Sequence, residues 1–208
     1  MDNKKLVITI SHQLGSGGAY LGQKLSECLG MPFIDRDILK KVAEELHVAE
    51  TDLDGREERL STFWQSFMRY AIYTDPVGYM ALENYSPTDR ELFDLESEFI
   101  GRIADQGPAI FLGRCGRYIL RDHPDRFSLF VHASLPDRIQ RVQQLYHLSA
   151  DESKKRIETN DRERAAYVRA FTHQELLDAR QYDLCLDTSS LGLDHALDLV
   201  LKSIKEYA

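Results

Sequence analysis

The sequence predicts an α/β fold: one domain built on a parallel five-stranded sheet between two layers of helices. Three observations predict it. Short apolar, β-branched runs alternate with segments of helical spacing along the chain. The first of these runs leads through a glycine-rich turn into a helical pattern, the opening of a unit whose next strand lies parallel to the first. The chain has 208 residues, 43% hydrophobic and 29% charged, which supports a single core and excludes a disordered or coiled-coil chain.

Leu6-Val7-Ile8-Thr9-Ile10 is a short apolar, β-branched run and reads as a buried strand. Ser11-His12-Gln13-Leu14-Gly15-Ser16-Gly17-Gly18 follows as a polar turn. Tyr20, Leu21, Leu25, Cys28 and Leu29 mark one face of a helix, stopped by Gly30 with Pro32 just beyond. Phe33-Ile34 reads as a second strand ending at Asp35-Arg36-Asp37. A helix is expected from Ile38 to His47. Thr51 to Ser86 is mixed and aromatic; Phe63, Trp64, Phe67, Met68, Ile72 and Tyr73 have the spacing of a packed helical face. Thr88 to Ala104 reads as a helix with Thr88 as N-cap and Glu91 completing a capping box.

Gly107-Pro108 ends that helix, and Ala109 to Leu112 is the third strand, running into Gly113-Arg114-Cys115-Gly116. Tyr118 to Leu120 fits a short helix and Phe127 to His132 a fourth strand. Leu135-Pro136-Asp137 opens a helix with proline in its first turn, continuing through Ile139, Val142 and Leu145. Ser149 to Ala179 is polar, Arg-rich and helical in spacing. Asp183 to Asp187 is the last strand, Thr188 to Gly192 a turn, and Leu193 to Tyr207 an amphipathic closing helix. Right-handed crossovers make such an order a doubly wound sandwich.

The charge is −8 overall, a poor match to general nucleic-acid binding. It is unevenly spread. Arg114 to Arg169 holds ten Arg and two Lys against eight acids, a local +4, so the remainder carries −12. Arginine concentrated in an acidic chain points to a compact anionic ligand; a solvated helix face of mixed charge is the other reading. No stretch approaches the ~18 to 20 apolar residues of a membrane span. Cys28, Cys115 and Cys185 form no C-x-x-C pair, and His123, His132, His147, His173 and His195 show no metal spacing. Neither a disulfide framework nor a protein-held metal is expected, and a reducing cytoplasm is the natural setting.

The turn after the first strand carries the most chemistry. A glycine-rich turn that opens a helix presents backbone N–H groups at the positive end of the helix dipole, a cradle for phosphate. The turn departs from the G-x-x-x-x-G-K-[ST] pattern: with Gly17 as its last glycine, Gly18 stands in place of the lysine and Ala19 in place of the hydroxyl residue. It is not G-x-G-x-x-G either, because position 20 is Tyr. A plain tight turn is the alternative. Arg36, Arg117 and Arg156 are candidates to replace the lysine's charge. Cys115 reads either as an activated thiol beside Arg114 and Arg117 or as a small buried hydrophobe.

Ile8-Thr9-Ile10-Ser11-His12-Gln13-Leu14-Gly15-Ser16-Gly17-Gly18, followed by a helix and Met31 to Asp37, resembles the start of the cytidylate kinase-like family, a divergent branch of the P-loop nucleoside monophosphate kinases. Ala109 to Gly116 is similar to the family's central strand and Gly-Arg loop, and His132 to Arg141 to the strand and helix before its lid. Thr159 to Tyr167 is similar to the lid's Asp-Arg-x-Arg element, and Tyr182 to Ala196 to its last strand, adenine-side loop and final helix. The resemblance implies a three-layer P-loop NTPase sandwich over residues 1–208, with an acceptor-side module at about 31–105 and a mobile helical lid at about 149–179. It implies an ATP- and Mg2+-dependent phosphotransferase acting on a nucleoside monophosphate or similar small acceptor. A non-catalytic nucleotide-binding module and a kinase of an unrelated metabolite are the rivals. By the same resemblance Gln13, Gly15, Ser16, Gly17 and Gly18 line the donor phosphates; Asp35, Arg36, Arg114 and Arg117 meet the acceptor; and Asp161, Arg162 and Arg164 close over the phosphates, acting in catalysis with Arg114. Cytidylate kinases carry Gly-Arg-Asp where this chain has Gly113-Arg114-Cys115, which predicts weak activity on CMP.

Overall fold

The structure, a computed structural model, describes residues 6–35 and 88–207. Their elements are β1 (Val7–His12), α1 (Gly18–Leu29), β2 (Phe33–Ile34), α2 (Thr88–Gln106), β3 (Ala109–Leu112), α3 (Gly116–Ile119), β4 (Arg126–His132), α4 (Leu135–Tyr146), α5 (Ala150–Thr172), a 3-10 turn (Ala179–Gln181), β5 (Leu184–Asp187), α6 (Thr188–Leu191) and α7 (Leu193–Tyr207). The five strands form one parallel sheet in the order β2-β3-β1-β4-β5. β1 therefore lies at the centre, with Ile10 opposite Leu112 on one side and Leu129 on the other.

Parallel sheets are covered on both faces, so their central strands are apolar throughout. Val7 to Ile10 and Ala109 to Leu112 are buried at every position. Ile8, Ile10, Ile110, Leu112, Leu129 and Val131 pack on one face against Leu21 and Leu25 of α1 and Ala196, Val200 and Ile204 of α7. On the other face Gly116 of α3 lies against Phe111 and Thr9, and α2 packs beside it with Phe99, Ile100 and Ile103 buried. This is the three-layer arrangement that the alternation of strands and helices predicts.

The departures have local causes. β1 continues to His12 because its ladder with β4 extends to Val131. Tyr20 and Cys28 are exposed; α1 buries Leu21, Gly22 and Leu25, so its inward stripe is narrower than the sequence pattern. Leu145 is 69% exposed, and α4 buries Arg138 and Val142, because its inward face meets Leu14 of the loop and Ile157 of α5. α4 starts behind Ser134, which accepts from Asp137 N at 3.4 Å. α5 opens with a full capping box between Ser149 and Glu152 and ends at His173 in the left-handed region, earlier than Ala179. Thr188 to Leu191 forms a single helical turn capped by Asp187, where a plain turn was expected. α2 begins at Thr88 itself. The helix Ile38 to His47, the aromatic stretch Thr51 to Ser86, and Arg36 lie outside the described residues, as do the side chains of Thr88 and Glu91 on which the expected capping box depends. Among the described residues no helix is long and apolar enough to cross a membrane.

Candidate active site

The turn between β1 and α1 sits at the C-terminal edge of the central strand, where open α/β sheets bind ligands. Gly15 and Gly17 adopt positive φ, +79° and +88°. That conformation strains any residue with a Cβ. Their space is restricted as well. A Cβ on Gly15 would meet the Arg138 carbonyl oxygen at 2.8 Å, and one on Gly17 would overlap the Leu193 side chain. These glycines are therefore required by the protein's own packing, besides any ligand.

Every carbonyl from His12 to Gly17 has a donor. Arg164 Nη1 donates to His12 O at 2.9 Å. Ser16 N donates to Gln13 O at 3.1 Å, and Ser16 Oγ lies 2.8 Å from the same oxygen and 3.0 Å from Val131 O. Arg138 Nε donates to Leu14 O at 2.7 Å, and Arg141 Nη1 to Gly15 O at 3.3 Å. Thr188 Oγ1 donates to Ser16 O at 2.7 Å, and Leu21 N to Gly17 O at 2.9 Å. The N–H groups of Gly15, Gly17 and Gly18, by contrast, find no backbone acceptor among the described residues. The loop is thus fixed by its carbonyls, leaving amides at the positive end of a 12-residue helix.

α5 reaches this loop through two residues. Asp161 accepts from Leu14 N at 3.3 Å with Oδ1 and from Arg138 Nη2 at 2.5 Å with Oδ2. Leu14 is thereby held at both its N–H and its C=O by one ion pair, whose arginine is buried. Arg164 Nη1 lies 2.9 Å from His12 Nε2. A guanidinium only donates, so Nε2 is the acceptor and the ring proton belongs on Nδ1. Burial, then Arg164, then Arg138 hold the His12 pKa well below that of a free histidine, and the ring is neutral.

The other expected residues fall in two places. Gly113, Arg114 and Cys115 have successive φ values of +71°, +50° and +56°, a left-handed turn closed by Gly116 N donating to Gly113 O at 2.9 Å. The two non-glycine residues strain the backbone by about 1 kcal/mol each. The turn aims Arg114 at α2: its Nε and Nη2 both donate to Glu96 Oε2, and its Cζ lies 4.6 Å from the Tyr167 ring centroid. Arg117 donates to Gln174 at 3.0 Å. Asp35 is half-buried at the end of β2, Gln13 half-buried at the loop, and Arg162 exposed on α5. Cys115 is a half-buried thiol whose partial burial pushes its pKa up to about 12, which favours the small-hydrophobe reading over an activated thiol. Of the candidates to replace the lysine, Arg117 is engaged by Gln174 and Arg156 lies 4.0 Å over the Tyr146 ring.

Arg138, Arg141, Thr188, Glu96 and Tyr167 were not singled out by the sequence. Two signals were available. Arg138 and Arg141 sit three apart on one helix face directly after a strand. Glu96 falls on the apolar stripe of Phe93, Ile100 and Ile103, the mark of a carboxylate that needs a buried partner.

A model of the cytidylate kinase-like family matches residues 7–190. The chain belongs to that family. An uncharacterized protein from Eubacterium ventriosum ATCC 27560 is similar in structure, with a TM-score of 0.72, 20% identity, and 96% of this chain and 98% of that one covered. A shikimate kinase from Bacteroides thetaiotaomicron (TM-score 0.52, 15% identity, 97% and 96% covered) and a gluconokinase from Sinorhizobium meliloti 1021 (0.50, 14%, 97% and 95%) share the fold. No curated protein matches the sequence. The fold is the α/β fold that these kinases share.

Proposed function

We propose that this member of the cytidylate kinase-like family transfers the γ-phosphoryl group of ATP to a small acceptor, a nucleoside monophosphate or a similar molecule. The observation that carries the reading is the Gln13 to Gly18 loop, with its carbonyls fixed by Arg138, Arg141, Thr188 and Arg164 and the N–H groups of Gly15, Gly17 and Gly18 left to a ligand. Phosphoryl transfer needs positioning and charge neutralisation more than covalent participation. The loop amides fit a polyphosphate. Asp161 and Arg164 join α5 to the loop and support its role as the lid, with Arg162 on the same helix. Arg114 after β3, Arg117 on α3 and Asp35 after β2 belong in this reading to the acceptor side.

Among the described residues no three metal-ligating side chains cluster. Mg2+ would therefore enter with ATP, held largely by phosphate oxygens and water, and would neutralise the β and γ oxygens.

One observation favours a metabolite kinase over a nucleoside monophosphate kinase. Arg114 is already paired with the buried carboxylate of Glu96, so its charge is offset before an acceptor phosphate arrives. Cys115 also supplies no carboxylate at the nucleotide pocket. A coupled ADP-release assay tests both readings, with ATP and a panel of nucleoside monophosphates, sugar acids and hydroxylated carboxylates. Turnover with one class is expected, with weak activity on CMP. ATP binding without turnover of any acceptor would favour a non-catalytic module.

A further inference from the structure

In a G-x-x-x-x-G-K-[ST] loop the lysine places its ammonium on the β and γ phosphates. Here Gly18 holds that position, and with Gly17 as the motif's last glycine, His12 stands where the first would be. The two exchanges are linked in space. A Cβ on Gly18 would lie 2.5 Å from His12 Cβ and 2.6 Å from His12 Cγ. The imidazole occupies the volume in which a lysine stem would begin, so a lysine at 18 is incompatible with a histidine at 12.

The opposite end of the same ring meets a cation. His12 Nε2 and His12 O are each 2.9 Å from Arg164 Nη1, so one nitrogen is pinned by side chain and backbone of the residue that ends β1. Arg138, the other guanidinium near the ring, is neutralised by Asp161.

We infer that His12 is a positioning residue that sets the Arg164 guanidinium in the role of the missing lysine, so the cation on the transferring phosphates comes from α5 and not from α1. This rests on the loop being the ATP phosphate site. It has a consequence that a lysine on α1 would not produce: charge neutralisation depends on α5 being seated, and an unseated lid leaves the loop without this cation.

The test is a double-mutant cycle on ATP and pyrophosphate binding, measured by calorimetry on the full chain with circular dichroism as the folding check. Arg164→Ala is expected to weaken ATP binding about tenfold or more, the worth of a charge-assisted contact. His12→Ala should lose a similar factor, and His12→Gln, whose amide oxygen accepts from Arg164, should recover much of it. Added to Arg164→Ala, His12→Ala should cost nothing further. His12→Gly with Gly18→Lys should restore binding in the Arg164→Ala background. Independent, multiplying losses, or a His12→Ala protein that binds ATP as well as the parent, would overturn the inference. Should His12→Ala fail to fold, His12→Asn takes its place, since its shorter amide does not reach Arg164. A parent protein that binds neither ATP nor pyrophosphate would instead overturn the reading of the loop.

Discussion

Glu96 Oε2 accepts from both Nε and Nη2 of Arg114, an ion pair whose side chains are 3% and 10% exposed. Tyr167 closes the group, its hydroxyl donating to the same oxygen at 3.4 Å and its ring beneath the guanidinium. Removing one member of a buried pair leaves the other charge uncompensated, a loss of about 3 to 5 kcal/mol. Glu96→Gln and Arg114→Gln are each expected to lower the urea midpoint strongly. The double variant should be less destabilised than the sum of the two. Additive losses would show that the pair is not coupled.

Gly17 combines a φ of +88° with contact to Leu193. Gly17→Ala should cost about 1 to 2 kcal/mol from the backbone alone, plus the overlap. Leu193→Ala in that background should return the overlap part and not the backbone part. Urea unfolding of the three variants separates them. Full recovery in the double variant would mean that the turn tolerates a Cβ.

His12 gives stability a specific pH dependence. Its folded pKa lies below that of a free histidine, chiefly through burial. As pH falls below about 6.5, the unfolded chain takes up a proton that the folded chain refuses, so stability declines until the folded pKa is reached. The slope from this residue approaches about 1.4 kcal/mol per pH unit. Arg164 and Arg138 face the ring, with Asp161 behind Arg138. Unfolding free energies from about pH 7.5 to about pH 5.5 should fall more steeply for the parent than for His12→Gln. Parallel curves would contradict a buried neutral His12.

The three cysteines should differ in reactivity. Cys28 and Cys185 are exposed, whereas burial pushes the Cys115 thiol up to about 12. Iodoacetamide followed by peptide mass spectrometry is expected to label Cys28 and Cys185 under native conditions and Cys115 only after denaturation. Early labelling of Cys115 would restore the activated-thiol reading.

If α5 is a lid, ATP should protect its amides from hydrogen exchange beyond the apo level. The protection should centre on the turn of helix that carries Asp161 and Arg164. Equal exchange over Ala150–Thr172 with and without ATP would remove the lid role.

The sheet was legible because period and punctuation are local. Ile8 and Ile110 lie in apolar runs, and Gly30 and Gly107 stop helices where the pattern breaks. The glycine loop was legible for the same reason. Of the partners of that loop, Asp161 and Arg164 were legible through the family resemblance, whereas Arg138, Arg141 and Thr188 were not. Arg138 touches Leu14 O across 124 residues of chain, and Arg164 touches His12 across 152. Arg138 was marked only by its place beside Arg141 on a helix face directly after a strand, and its burial, which sets it apart from exposed Arg162, is created by the fold. His12 was read as a turn residue for the same reason, since its place against Gly18 depends on β1 running two residues past its apolar run.

The central claim is that the amides of the Gln13 to Gly18 loop hold the phosphates of ATP. Titrating the 15N-labelled protein with ADP and following backbone amide resonances tests it directly. Gly15, Gly17 and Gly18 are expected to shift first and furthest, and the shifts of Gly15 and Gly18 to vanish in Gly17→Val. Resonances of these three glycines that stay in place while ADP binds elsewhere, or while no binding occurs, would contradict it.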